Sequence, residues 1–267
     1  MGPTVRISDN NFDRNVPTLV FKMGRYPVHH GGLGVVRSLH RAGIPVYANH
    51  EDFFTPVARS RHLGTPMVWV VSPCDTASIL QRLEAFSDSI GKPTVIIPTD
   101  DEAALFIARQ RERLQDRFLV TATEPSVIES VADKLALACT IAKLRMPTVR
   151  SATPRSEEQL LEFLDAVGLP VVLKASDAAL VRTSGERSTV LLRDAQQAIE
   201  LFRDNGHIQR GEQFLQEFIR DGQDWFFHGY SDASSKLLVG FTGVKLRSYP
   251  RLAGPTSFGQ WVHNDDL

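Results

Sequence analysis

Cysteine is nearly missing from this chain of 267 residues, which has only Cys74 and Cys139. That excludes a small domain stapled by disulfides. Two cysteines on different predicted elements, outside any metal-ligand spacing, read as inert buried thiols in a reducing compartment. Charge of one sign is lacking as well: 30 basic and 31 acidic residues, spread along the whole sequence, leave a net charge of −1. No basic stripe points to nucleic acid and no acidic tail to a basic partner, which leaves a small anionic ligand open. No apolar run approaches the roughly 18 residues of a membrane span, and the N-terminus has no signal-like apolar core. A cytoplasmic protein without a membrane partner is expected. Internal repeats and low-complexity tracts are absent too.

The length suffices for one large or two modest cores. From residue 17 to 121, β-rich runs alternate with amphipathic stretches. Residues 18–23, 45–48, 67–71, 94–97 and 118–120 are near-continuously apolar, as strands covered on both faces are. Helices are predicted over 34–42, 75–89 and 101–115, and the alternation implies a parallel α/β layer with right-handed crossovers. Pro125 introduces Ser126 and Glu129, a capping-box pattern, so one helix is predicted from there to Leu144, before Pro147. Ser156 and Gln159 open another helix, which Gly168 and Pro170 close. Beyond it the region is α+β: strands over 171–175, 189–192, 213–219, 224–230 and 236–246, and a helix over 194–205. The expected domains are an α/β domain over 1–124, a hinge helix over 125–145, a small α+β lobe over 146–220, and over 221–267 the start of a further lobe.

Lys174 lies in an otherwise apolar strand, where an ammonium is costly to bury without an anion, so a bound phosphate suits it. The bland alternative turns Lys174 to solvent while Val172 faces inward. Lys134, on the hinge helix, is by itself an ordinary solvated lysine. The polar connection over 176–188 is rich in backbone amides, and with Ser184, Ser188 and Arg187 it suits closure over phosphate oxygens; a surface hairpin without a ligand is the alternative. Gln216-Glu217-Phe218-Ile219 ends a strand. Its backbone has the spacing for an adenine edge, Phe218 and Ile219 offer apolar cover, and Asp224 suits ribose hydroxyls. A plain hairpin with a charged turn fits the same residues. Lys245 and Arg247, read as two cations on one side of a strand, suit a transferring phosphoryl group together with Arg251. A solvated strand face is the alternative for them.

Asp133-Lys134, Pro170-Val171-Val172-Leu173-Lys174, Gln216-Glu217-Phe218-Ile219, and Gly222 with Asp224 together resemble the ATP-grasp superfamily, closest to its carboxylate–amine ligases, from about Val16 onward. The resemblance implies a pre-ATP-grasp α/β domain followed by an ATP-grasp region. It implies that Lys134 and Lys174 contact ATP phosphates, that the backbone from Glu217 to Ile219 holds adenine, and that Asp224 holds ribose. It also implies a reaction in which a small carboxylate is phosphorylated by ATP to an acylphosphate and captured by an amine. The family carries its acidic magnesium ligands after the loop over 249–256. None is recognised before Leu267, and Asp265 and Asp266 are not assigned as ligands. The region therefore reads as incomplete, with magnesium ligands expected beyond Leu267, an impaired or inactive chain, and apolar surface that leaves room for a homo-oligomer.

Two other readings stay open. His29-His30-Gly31-Gly32-Leu33-Gly34 follows the first strand, and its amides suit an anion in a dinucleotide- or nucleotide-sugar-binding protein. Its spacing is not G-x-G-x-x-G, and adjacent histidines diverge too much to share a metal. In the ligase reading this loop helps bind the acceptor, with Lys22 and Arg25 as carboxylate contacts. The last reading is a non-catalytic ATP-grasp-like binding module.

Overall fold

The computed structural model describes residues 12–25, 30–65, 67–72, 75–121, 123–176, 189–249, 251 and 256–264. The chain divides into two compact units, Met1–Glu129 and Ser130–Leu267.

In the first unit, β1 (Thr18–Phe21), β2 (Val46–His50), β3 (Met67–Val68), β4 (Thr94–Pro98) and β5 (Phe118–Leu119) form one sheet in the order β3-β2-β1-β4-β5. Every neighbouring pair is parallel, at the five places where apolar runs predict strands. The helices are α1 (His30–Arg41), α2 (Thr76–Ile90), α3 (Asp101–Arg109) and the short α4 (Arg111–Leu114). Alternation along β1 explains why both faces are apolar. Leu19 and Phe21 pack with Ile79, Leu83 and Phe106, whereas Val20 packs with Val36, Val46 and Ala48. Each fully buried side chain of this size contributes roughly 1.5–3 kcal/mol.

The predicted hinge helix is two helices, α5 (Pro125–Ala132) and α6 (Lys134–Lys143). They part at Asp133, whose backbone is extended (φ −80°, ψ 115°) and whose carboxylate accepts from the Ala136 amide at 2.7 Å. An N-cap inside an apolar stretch thus overrides its periodicity. The helix also starts at Pro125 rather than after a Ser126 cap, and Glu129 pairs with Arg109 at 2.5 Å.

In the second unit, β6 (Ser151–Ala152), β7 (Val171–Ala175), β8 (Thr189–Leu192) and β9 (Gln213–Glu217) form an antiparallel sheet ordered β6-β9-β7-β8. Val171 and Leu173 of β7 pack on Leu160 and Leu164 of α7 (Glu157–Val167) and on Ala198 and Phe202 of α8 (Ala195–Asn205). The α7 cap is as read, Ser156 Oγ accepting from the Gln159 amide at 3.2 Å. Because strand side chains alternate with period two, Lys174 shares its face with Val172, opposite the helices. The alternative that sends them to different sides therefore fails. β10 (Trp225–Ser231), β11 (Leu237–Ser248) and β12 (Thr256–Trp261) make a separate antiparallel sheet, in which Phe227, Tyr230, Phe241 and Phe258 remain exposed.

Candidate functional site

Lys134 is the first residue of α6, and its amide donates to the Ser176 carbonyl at 3.0 Å. Ser176 is held in turn: its amide and its hydroxyl each donate to the Glu212 carbonyl at 2.9 Å. The start of α6 is therefore stitched to the chain two residues past Lys174, which is how a helix and a strand 40 residues apart bring their lysines to one place.

Lys174 is half-buried, and its Nζ donates to Gln216 Oε1 at 2.5 Å. Burial lowers the pKa of its ammonium, the charge of Lys134 acts the same way, Asp224 opposes, and Lys245 adds to the lowering. Two ammonium groups and one carboxylate thus act on the Lys174 ammonium. The carboxylate is already engaged: Lys245 Nζ lies 3.1 Å from Asp224 Oδ2, and the Lys245 amide donates to the Asp224 carbonyl at 2.8 Å.

Beyond β9 opens a cavity of about 740 Å³ whose lining includes Phe218, Ile219, Asp224, Lys245, Arg247 and Arg251. Six of the residues singled out from sequence meet there, while Lys134 and Lys174 are not among its lining. The strand end needs one refinement. The Glu217 amide donates to the Arg150 carbonyl at 2.8 Å, and the Glu217 carboxylate faces Arg150 Nε at 3.1 Å, which holds it below its usual pKa range. Among the described residues, the amides of Phe218 and Ile219 donate to no backbone carbonyl.

Lys245 and Arg247 do not lie simply on one side of β11. Lys245 pairs with Gly259 and Arg247 with Phe258, so two residues of β11 advance against one of β12, a bulge that breaks the alternation. The Arg247 guanidinium lies 5.8 Å from the centre of the Phe258 ring, a cation–π contact. Ser184, Arg187, His29, Cys74, Asp265 and Asp266 lie outside the described residues. Cys139 is an exposed thiol, not a buried one, because α6 buries no side chain.

In the first unit, Lys22 departs from the expected substrate contact. It is buried, and its Nζ donates to both carboxylate oxygens of Glu51 at 2.6 Å, so that acid already meets its charge. The glycine run is helical rather than a turn, since α1 begins at His30. One carboxylate oxygen of Asp100 accepts from the amides of Met23 and Gly24 at 2.9 and 2.8 Å, while the other caps α3.

Sequence reasoning named Gln216 only as part of a strand end and passed over Ser151: Gln216 meets Lys174, and its Nε2 donates to Ser151 Oγ at 3.1 Å. A charge-based search finds neither, because both are neutral.

No family model matches the chain, and no curated protein matches it by sequence. Solved structures do. The biotin carboxylase domain of Hydrogenobacter thermophilus 2-oxoglutarate carboxylase, in complex with MgADP, ADP and bicarbonate, superposes with a TM-score of 0.60 at 19% identity, over 86% of this chain and 51% of that one. An N5-carboxyaminoimidazole ribonucleotide synthetase in complex with ADP gives 0.59 at 15% identity, over 87% and 55%. The Aspergillus clavatus carboxyaminoimidazole ribonucleotide synthase complexed with ATP gives 0.57 at 12% identity, over 90% and 56%. The fold is like that of these structures: a parallel α/β sheet followed by an α+β region with two antiparallel sheets. The chain spans about half the length of these structures. Among the described residues, no group of three or more His, Cys, Asp or Glu could hold a metal ion. Among the described residues, no helix is long and apolar enough to cross a membrane.

Proposed function

We propose that this chain carries the nucleotide-binding part of an ATP-dependent carboxylate–amine ligase, its domains divided as the sequence reading has them. Lys134 and Lys174 hold triphosphate oxygens, the backbone of Phe218 and Ile219 takes the adenine edge, and Asp224 takes the ribose. Lys245, Arg247 and Arg251 face the transferring phosphoryl group and the carboxylate, where fixed cations stabilise developing charge. Bound ATP would supply the phosphoryl group that activates a carboxylate toward an amine. The observation that carries this reading is the half-buried Lys174 ammonium, held by the neutral Gln216 oxygen, with the Lys134 backbone fixed to the chain two residues past it through the Ser176 carbonyl. A partly buried ammonium is stabilised when an anion completes it. In such folds ammonium groups act on phosphate oxygens as point charges. Ligation, its small-molecule substrates and its magnesium are proposed for the whole protein.

Calorimetric titration with ATP tests this. Lys174→Ala weakens binding by about tenfold or more, the loss of one charge-assisted contact. Gly34→Ala leaves it unchanged, since a Cβ there meets nothing within 4 Å. The reverse pattern would favour a dinucleotide site at the glycine run. Against that reading stands Asp100, whose carboxylate occupies the amides of Met23 and Gly24 just after β1, next to where a dinucleotide pyrophosphate would approach. A non-catalytic module differs in a separate assay, by showing no magnesium-dependent ATP hydrolysis with any acid and amine.

A further inference from the structure

We infer that Gln216, braced by Ser151, is a positioning residue that aims the Lys174 ammonium while leaving its charge unneutralised. On β9, Gln216 pairs in register with Ser151 of β6 on one side and with Val172 of β7 on the other. Lys174 is two residues farther along β7 on the same face, the diagonal position that only long side chains bridge. The carboxamide uses both ends. Its oxygen accepts from Lys174 Nζ at 2.5 Å, and its nitrogen donates to Ser151 Oγ at 3.1 Å. The bond to Lys174 settles which end of the amide faces the lysine, because only the oxygen can accept from an ammonium, and the Ser151 hydroxyl accepts from the nitrogen that is left.

The chemistry of the partner matters more than its presence. A carboxylate at this position would fix Lys174 equally well and would also cancel its charge, as Glu51 does for Lys22 in the first unit. A neutral acceptor holds the ammonium in place, and its remaining donors stay directed at an incoming anion. Granted that Lys174 takes phosphate as proposed above, Gln216 sets both the direction of that charge and its size.

The test uses the full chain with ATP as the probe, binding read by calorimetry and the Lys174 titration by NMR of lysine-labelled protein, its signal assigned with Lys174→Arg. Gln216→Glu is nearly isosteric, and the Ser151 hydroxyl can turn to donate to it. It is expected to weaken ATP binding by about tenfold or more while moving the Lys174 titration to higher pH. Gln216→Leu is expected to weaken binding by about threefold to tenfold while moving the titration lower, since an acceptor for the charged form is lost. A structural role alone would scale affinity without moving the titration in opposite directions. If Gln216→Glu does not fold, Gln216→Leu and Ser151→Ala carry the test, the latter weakening binding by a smaller factor. The inference is overturned if the folded Gln216 variants bind ATP within about twofold of the parent while Lys174→Ala is weakened. If Lys174→Ala itself binds normally, the nucleotide reading fails instead.

Discussion

Glu51→Leu should destabilise the first unit far more than an ordinary surface change. The Lys22 and Glu51 side chains are 6% and 14% exposed and meet at 2.6 Å. Removing the acid leaves an ammonium inside a packed layer, where breaking a buried pair costs about 3–5 kcal/mol. Whole-domain stabilities are of order 5–15 kcal/mol, so the variant should lose a third or more of its margin. Replacing both partners, Lys22→Met with Glu51→Leu, removes the uncompensated charge and should recover most of the loss. Urea denaturation at pH 7, followed through Trp69, reports on this unit, because Trp69 is 5% exposed within its core. Trp225 and Trp261 are first changed to Phe to silence the other unit. A single change costing less than about 1 kcal/mol, or a double change costing as much as the single, would refute the reasoning. So would normal stability joined to a selective loss of substrate affinity, which would return Lys22 to the role of a carboxylate contact.

Three further outcomes are expected. His50 is 1% exposed, neither ring nitrogen has a hydrogen-bond partner among the described residues, and burial lowers its pKa. The unfolded chain therefore binds a proton that the fold resists. The stability contribution is complete above pH about 6.5 and is lost as pH falls below it, so the urea midpoint of His50→Leu should depend less on pH across that window. At Gly243 an added Cβ would lie 2.2 Å from the Phe226 ring and 2.7 Å from the Gln260 carbonyl oxygen. Gly243→Ala should cost about 1–3 kcal/mol in thermal melts, and removing the ring with Phe226→Ala should not restore it, since the backbone contact remains. Asp133→Ala removes the α6 cap, at a cost of about 1 kcal/mol, and should show as faster amide exchange at Ala136.

What the sequence discloses follows physical lines. The five parallel strands are legible because burial on both faces leaves unbroken apolar runs such as Thr18 to Phe21. β12 is not, because Thr256–Trp261 is exposed throughout and carries neither alternation nor a run. The break at Asp133 hides in a segment whose apolar spacing, Val127, Val131, Leu135, Ala138, continues across it. A single aspartate ahead of Lys134 is the signal that could have found it. Of the candidate site, the charged members are legible one by one, but their partners are not. Nothing in the order of residues says that Glu51 rather than a substrate meets Lys22. Nor does anything say that Gln216 meets Lys174, for that contact exists only once β7 and β9 are in register.

The hydrogen bond from the Lys134 amide to the Ser176 carbonyl carries a consequence for movement. One backbone link joins the residue that follows β7 to the first residue of α6, so a displacement of the tip of β7 that leaves α6 behind has to break it.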